Sequence, residues 1–367
     1  MKILWMTWKD MDHPQSGGAE LINEEIAFRL VRDGHDVCFI VGGYPGCEKE
    51  IERNGVKIVR LGGRYSVYWQ AFRFYKKHLK GWADLVVDEM NTIPFFCKYY
   101  VKEKNLLFAY QLCREIWFYQ MRFPLSVVGF LLEIVFLRLL RNQNVITISE
   151  STKKDMIRFG FRADRISIVP IGISIEPLKQ LKDVEKFSRP TLLSLGSIRK
   201  MKQTCDQIEA FEISKKAVPK LQLKIAGVPG DAYGEKVLHR IKKSEFKSDI
   251  EYLGRVDEAQ KTELMQKSHL ILVTSVKEGW GLIVTEANSQ GTPAVVYDVD
   301  GLRDSVKNKE TGWISKNNSP NGLADCVIQS LQNIEEYEKV RNDAWLWSKD
   351  LTLEKCYLEF KKSAGIS

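Results

Sequence analysis

Short apolar runs alternate along this chain with longer segments of helical periodicity, and this alternation constrains the fold more than any other feature. Residues 2–7 form the first apolar run, and the helical segment after them carries apolar residues at spacings of three and four from Ala19 to Leu30. A second run at 36–41 completes a βαβ unit, with Gly34 at the position of a helix-ending glycine. Strands buried on both faces of a parallel sheet are continuously apolar, so the sequence predicts an α/β fold.

The alternation runs through the chain twice. At 367 residues the chain exceeds the size of an ordinary single core, so two domains are expected. The polar, lysine-rich stretch 173–188 is the predicted linker between Rossmann-like domains at 1–172 and 189–345, whose parallel sheets would face a central cleft. A final helix is predicted over 335–362, and its last part, about 346–367, is expected to pack back on the first domain. Further strands are predicted at 57–61, 84–87, 106–110, 145–148, 166–171, 191–195, 221–226, 250–253, 270–274 and 294–297.

Charge and cysteine content narrow the class of protein. The net charge of +8 suits nucleic acid, anionic lipid or phosphorylated substrates, but no nucleic-acid-binding motif accompanies it. The 7 cysteines are scattered and lack paired C-x-x-C spacing, which indicates reduced thiols and no zinc site. The first apolar run is too short for a signal peptide. We therefore expect a cytoplasmic protein.

The loop after the predicted strand 270–274 carries the strongest functional signal. Its sequence Gly279-Trp280-Gly281 turns the chain from strand to helix, and the free amides of such a helix start attract a pyrophosphate. Glu278 precedes these amides and Glu286 follows two turns later, so both carboxylates can accept hydrogen bonds from hydroxyl groups of one ligand. Solvated carboxylates favoured by the helix dipole are the alternative interpretation. The flanking glycines and the buried strand favour a nucleotide-sugar site.

This segment resembles glycosyltransferase family 4, whose members carry E-x7-E here, the spacing of Glu278 and Glu286. The resemblance implies a retaining transferase with the two-domain GT-B fold. It implies that Glu278 lies near the transferred sugar, that Glu286 binds the ribose, and that the donor is a UDP-sugar or GDP-sugar used without metal or other cofactor. The likeness extends over nearly the whole chain through Gly17-Gly18-Ala19-Glu20, Ile148-Ser149-Glu150-Ser151, Pro170-Ile171-Gly172-Ile173, Gly196 to Lys202, Gly254-Arg255-Val256 and Gly291-Thr292-Pro293.

The remaining donor-binding residues follow from the same resemblance. The family usually has G-R-x-x-x-x-K where this chain has Gly196 to Lys202, so Lys202 is carried over as a catalytic residue that neutralises the departing pyrophosphate. Ser197 occupies the arginine position, and Arg199 is the candidate replacement. The donor-binding set is Gly17, Gly18, Ser197, Arg199, Lys202, Arg255, Val256, Glu278, Gly279, Trp280, Gly281, Leu282 and Glu286.

The acceptor side departs from the family in one respect. Many relatives place a histidine after an N-domain strand near the reacting sugar, where this chain has Tyr110. Retaining transfer in the family is described as front-face attack in which the donor phosphate takes the acceptor proton, so no strong base is required. Asn91, Tyr110 and Arg114 are the acceptor-side candidates, and packing or loop roles are their alternatives.

Two segments raise the question of a membrane partner. Residues 64–82 place Tyr68, Phe72, Tyr75 and Leu79 on one helical face and lysines on another, which suits either an anionic membrane surface or packing on the core. Residues 124–140 are apolar but shorter than the roughly 20 residues of a spanning helix, which favours burial or interfacial docking. Both suggest a peripheral enzyme on the inner membrane face.

The sequence therefore predicts a hexosyltransferase that moves a sugar to a hydroxyl of a glycan or lipid-linked acceptor, as in polysaccharide, glycolipid or cell-envelope biosynthesis. A GT-B epimerase or phosphorylase would use the same donor pocket. A catalytically silent nucleotide-sugar-binding scaffold is the alternative from another class, motivated by Ser197 and Tyr110. A Rossmann dehydrogenase is disfavoured because neither glycine loop reads G-x-G-x-x-G before an acidic residue.

Overall fold

The computed structural model describes every residue from Met1 to Ser367. The chain divides into two compact units. Unit 1 comprises Met1–Arg114, Val127–Gly172 and Thr352–Ser367, and unit 2 comprises Glu115–Ser126 and Ile173–Leu351. The chain therefore passes between the units four times, and residues 173–188, expected as a linker, belong to unit 2.

Unit 1 is built on an eight-stranded sheet with the order β3-β4-β2-β1-β5-β6-β7-β8. All neighbouring strands are parallel except β3 and β4. The sheet is the one predicted, with the edge strand β3 added. Its strands are β1 Lys2–Met6, β2 Asp36–Gly42, β3 Glu50–Arg53, β4 Val56–Leu61, β5 Leu85–Met90, β6 Lys104–Ala109, β7 Val145–Thr147 and β8 Ile166–Ile168.

Unit 2 is built on a six-stranded, wholly parallel sheet with the order β11-β10-β9-β12-β13-β14. Five of its strands were predicted and β14 was not. The strands are β9 Thr191–Leu195, β10 Gln222–Ala226, β11 Ile250–Gly254, β12 Leu270–Val273, β13 Ala294–Val296 and β14 Gly312–Ile314.

Helices connect most of the successive strands and cover the sheets. In α1 the apolar positions predicted from the periodicity are buried, as Ile22, Ile26 and Leu30 show. Gly34 follows the end of the helix with a φ of +85°. The helices are α1 Gly18–Arg32, α2 Val67–Phe74, α3 Trp117–Gln120, α4 Leu125–Leu140, α5 Glu150–Arg158, α6 Thr204–Ala217, α7 Ala232–Lys243, α8 Glu258–Lys267, α9 Leu282–Ser289, α10 Leu302–Ser305, α11 Pro320–Gln332, α12 Ile334–Ser348 and α13 Leu353–Ala364.

The prediction of a single C-terminal helix is wrong, and of the two alternatives left open for residues 64–82 the structure shows packing on the core. The single helix expected over 335–362 is two helices, α12 and α13, because the hydroxyl of Thr352 accepts a hydrogen bond from the amide of Lys355 at 3.1 Å and starts a new helix. The aromatic face expected in 64–82 points inward: Tyr75 is fully buried, and Tyr68 packs on the same core cluster. No helix is both long enough and apolar enough to cross a membrane.

The C-terminal helix α13 completes the core of unit 1. Phe360 is fully buried and stacks on Trp5 of β1 with ring centroids 5.2 Å apart. Tyr357 donates its hydroxyl to the carboxylate of Asp33 at 2.6 Å, beyond the end of α1. The last residues of the chain therefore cover the first strand and the first helix.

Replacing Phe360 with alanine should destabilise unit 1, because the substitution leaves a cavity beside Trp5. We expect a loss of about 4 kcal/mol, which corresponds to a fall of roughly 10 °C in the unfolding midpoint. Scanning calorimetry measures it. Leu358→Ala is the control, since Leu358 lies on the same helix with 54% of its surface exposed. Equal midpoints for the two variants would contradict the assignment of Phe360 to the core.

Candidate active site

The loop between β12 and α9 gives the strand-to-helix turn that the sequence indicates. It runs over residues 274–281, and Gly281, the N-cap of α9, has a φ of 93° that glycine adopts without strain. The first amides of α9 have no intrahelical partner and carry the positive end of the helix dipole. An anion bound at this turn would therefore be stabilised.

The carboxylate of Glu278 is held by several partners at the head of this turn. It forms an ion pair with the ammonium of Lys202 and accepts a hydrogen bond from the Ser275 hydroxyl at 2.6 Å. Burial of Glu278 opposes ionisation, but the charges of Lys202 and Arg199 and these hydrogen bonds outweigh it and hold its pKa below the ordinary value. Glu278 is therefore an anion at neutral pH, able to accept hydrogen bonds from hydroxyl groups.

A second loop, between β13 and α10, fixes the backbone of Glu278. The amide of Glu278 donates to the carbonyl of Asp300 at 3.1 Å. A Cβ atom on Gly301 would lie only 2.2 Å from the carbonyl oxygen of Glu278, so the two loops fit together only because residue 301 is glycine. The buried ammonium of Lys277 donates to the carboxylate of Asp300 at 2.8 Å. These supporting residues were missed, and the Asp300-Gly301 turn after a strand was their only sequence signal.

Hydrogen bonds join the loop between β9 and α6 to the residues that follow β12. The hydroxyl of Thr274 donates to the carbonyl of Lys202 at 2.8 Å, and the amide of Val276 donates to the carbonyl of Met201 at 3.0 Å. Lys202 is thereby brought to Glu278. Arg199 is half-buried, its Nε atom has no hydrogen-bond partner, and its charge reaches Glu278, whereas Ser197 is half-buried in the same loop.

Glu286 lies two turns along α9 and is buried. Its carboxylate pairs with the ammonium of Lys261 at 3.2 Å. Burial raises the pKa of Glu286, and the charge of Lys261 opposes this only in part. Arg255 is exposed and Val256 half-buried in the loop after β11. These loops follow β9, β11 and β12, so they lie at the carboxyl edge of one parallel sheet, where such sheets bind ligands.

Trp280 lies in this turn, and its indole N–H donates no hydrogen bond. Its indole ring lies 6.3 Å, centroid to centroid, from that of Trp347 on α12. The indole Nε1 of Trp280 is buried without a hydrogen-bond partner. A buried donor of this kind costs free energy unless a ligand uses it, which agrees with Trp280 being part of a binding site.

The glycine loop of unit 1 lies between β1 and α1. The amide of Gly17 donates to the carboxylate of Glu20 at 2.7 Å, and Gly18 is the first residue of α1. Glu20 also pairs with Lys9 at 3.3 Å, and Lys9 donates to the carbonyl of Gln15 at 2.6 Å. The loop is therefore folded back on the start of α1 by charged side chains.

Comparisons with known proteins agree with this arrangement. The family model described as "Glycosyltransferase Family 4" matches residues 16–177, and the model described as "Glycosyl transferases group 1" matches residues 179–347. The chain belongs to the group 1 glycosyltransferases. Its predicted assignment to this family is confirmed, and the protein is a hexosyltransferase.

Relatives of this glycosyltransferase match along most of its length. N-acetyl-alpha-D-glucosaminyl L-malate synthase of Bacillus anthracis is 23% identical over 353 residues, which cover 88% of this chain and 87% of that protein. Sucrose-phosphate synthase of Thermosynechococcus elongatus has a TM-score of 0.79 at 17% identity, covering 98% and 97% of the two chains. HepE of Anabaena, solved with UDP and glucose, has a TM-score of 0.75 at 14% identity, covering 100% and 99%. The predicted GT-B fold is confirmed.

The acceptor-side candidates of the glycosyltransferase differ in exposure. Tyr110 is buried, and its hydroxyl donates to Asn23 at 2.7 Å on α1. The guanidinium of Arg114 lies 4.0 Å from the ring centroid of Phe130, inside unit 1. Asn91 is half-buried directly after β5. Their acceptor contacts stay a prediction.

A buried polar network behind the glycine loop contains an unusual carboxyl group. Glu89, on β5, is fully enclosed and accepts hydrogen bonds from the Trp5 indole at 3.0 Å and the Asn23 amide at 2.6 Å. Burial raises the pKa of Glu89 to about 8, and the nearby charge of Glu20 adds to the rise. Through Asn23 the network continues to Tyr110, so it fixes α1 and with it the glycine loop. The described residues hold no cluster of three or more His, Cys, Asp or Glu suited to a metal ion.

The raised pKa of Glu89 gives stability a defined pH dependence. Between the ordinary value of 4.5 and about 8 the unfolded chain has lost this proton while the folded chain keeps it, so stability is lost as pH rises through this window. Glu89→Gln removes that loss. We expect the variant to gain stability relative to the parent as pH rises from 5 to 8, measured by urea unfolding. A constant difference across this range would show that Glu89 does not retain its proton.

Proposed function

We propose that this glycosyltransferase moves a sugar from a UDP-sugar or GDP-sugar to a hydroxyl of a glycan or lipid-linked acceptor, with retention of anomeric configuration. The observation that carries the proposal is the convergence of Glu278, Lys202 and the open start of α9 at one sheet edge. In this arrangement the amides of Gly279 to Leu282 face the diphosphate. Glu278 accepts hydrogen bonds from the sugar hydroxyls, and Glu286 from the ribose.

The departing diphosphate needs positive charge, because breaking the bond to the sugar places negative charge on its oxygen. Lys202, which forms an ion pair with Glu278, supplies one charge. Arg199 supplies the second in place of the family arginine, which the unpartnered Nε atom and the proximity of Arg199 to Glu278 support. Ser197 contributes a neutral hydroxyl donor.

Retention follows from the order of bond changes that we propose. The bond between the anomeric carbon and the diphosphate oxygen breaks, and the acceptor oxygen forms its bond on the same face. The acceptor proton passes to the departing phosphate oxygen, so no protein base is required. Buried Tyr110 in the position of the family histidine agrees with this route, since the pKa of its hydroxyl is raised by burial far above neutrality.

Three other outcomes are distinguished by their products. An epimerase would return an altered nucleotide sugar or free sugar without using an acceptor, and a phosphorylase would require inorganic phosphate. A silent scaffold would bind the donor and release nothing. We favour transfer because Glu278 is ionised and paired with Lys202, a charge arrangement that pure binding of a nucleotide does not require.

The decisive experiment is a panel of UDP-sugars and GDP-sugars scored by release of nucleoside diphosphate, without metal and with EDTA. We expect slow hydrolysis of one donor, and a loss of roughly 100-fold in Glu278→Ala. Glu335→Ala is the matched control, because Glu335 is an exposed carboxylate in the first turn of α12. Hydrolysis by Glu278→Ala at the parental rate would refute the role of Glu278.

Arg199 can be tested against its neighbour Lys200. We expect Arg199→Ala to lower the rate of diphosphate release about 10- to 100-fold with a smaller change in donor KM, since the charge matters most as the bond breaks. Lys200→Ala should leave the rate unchanged, because Lys200 is exposed and its ammonium lies over the Tyr119 ring. Equal losses in the two variants would mean that only overall positive charge matters.

A further inference from the structure

The α4 helix exposes an aliphatic surface that nothing in the structure covers. Five aliphatic residues of this helix in unit 1 are between 45% and 55% exposed. Their spacing of three and four places most of them on one stripe. We call this surface the α4 ridge, and it consists of Val128, Leu131, Leu132, Val135 and Leu139.

The orientation of the helix is fixed by its buried side. Glu133 is buried, and its two carboxylate oxygens accept hydrogen bonds from the amides of Cys113 and Arg114, each at 2.7 Å. Leu137 and Leu140 are fully buried on the same side. The α4 ridge therefore points outward because a charged anchor holds the opposite face, and rotating the helix to hide the ridge would expose the anchor.

Positive charge borders the α4 ridge. Arg138 lies in the last turn of the helix and Arg141 follows it, and both are exposed. The ammonium of Lys98 donates to the carbonyl of Leu139 at 2.7 Å, and Tyr99, 56% exposed, donates its hydroxyl to the same carbonyl. The only acidic residue between 122 and 141 is the buried Glu133. An aliphatic stripe with basic side chains and a tyrosine at its C-terminal end complements anionic headgroups over acyl chains.

We propose that the α4 ridge is a monotopic membrane-docking surface that inserts into an anionic bilayer. The helix has 16 residues and a length of about 24 Å, shorter than a span, so it would lie along the interface. A lipid surface fits better than a protein partner, because aliphatic residues without hydrogen-bonding groups form the ridge, whereas protein interfaces favour aromatic residues. This inference rests on the proposed function in one respect: docking would bring the enzyme to a lipid-linked acceptor.

The test uses the full-length protein and sedimentation with vesicles of phosphatidylglycerol and phosphatidylcholine in equal parts. We expect the parent to bind these vesicles and the triple variant Leu131→Ser, Leu132→Ser, Val135→Ser to bind at least about 10-fold more weakly. The matched control is Ile334→Ser, Leu346→Ser, Leu358→Ser, three exposed aliphatic residues elsewhere, which should bind like the parent. Circular dichroism checks that each variant is folded.

A second pair of variants tests the charge. Arg138→Gln with Arg141→Gln should reduce binding to anionic vesicles at low salt and flatten its salt dependence, leaving binding to neutral phosphatidylcholine unchanged. Equal binding by parent and ridge variant, or no binding by the parent at low salt, would overturn the proposal. So would a parental dimer that the ridge variant abolishes, seen by analytical ultracentrifugation without vesicle binding.

The readouts separate this inference from the proposed function. Vesicle binding without diphosphate release from any donor would refute the proposed transfer and leave the docking surface intact. Diphosphate release without vesicle binding would refute the docking surface and leave the proposed transfer intact.

Discussion

The ion pair between Lys202 and Glu278 is the interaction on which the proposed donor site depends. It joins two loops that are distant in sequence, and two hydrogen bonds join the same loops, from the Thr274 hydroxyl to the carbonyl of Lys202 and from the Val276 amide to the carbonyl of Met201. A half-buried carboxylate without this partner would protonate more readily and lose part of its capacity to accept hydrogen bonds. The close fit of Gly301 against the Glu278 backbone then fixes where that charge lies.

Much of this arrangement follows from local sequence, and the remainder depends on contacts that local sequence does not reveal. The apolar runs identify β1 and β9 because strands buried on both faces need no polar side. The edge strand β3, with its three charged side chains, lacks that signal. Glu278 and Glu286 are found from spacing, whereas Asp300 and Gly301 support them through tertiary contact. The break before Thr352 was hidden because helical periodicity continues across it.

Membrane docking illustrates a different limit. The aromatic face of α2 and the aliphatic ridge of α4 are both apolar in sequence, but Tyr75 is buried and Leu131 is exposed. Periodicity shows that a helix has an apolar face without showing what covers it. In α4 the deciding residue is Glu133, whose charge suggests an exposed position but which anchors the buried side through two backbone amides. The buried position of Glu133 can be recognised only when the hydrogen-bond partners of its carboxylate are known.

The four passages of the chain between the units have a consequence for dissecting this protein. Because Phe360 and Tyr357 belong to unit 1, a fragment that stops before Thr352 would leave Trp5 without its stacking partner and α1 without its last contacts. Neither half can therefore be produced from one uninterrupted stretch of the gene. An isolated unit 2 would need the segment Glu115–Ser126 supplied separately or grafted through a new connection.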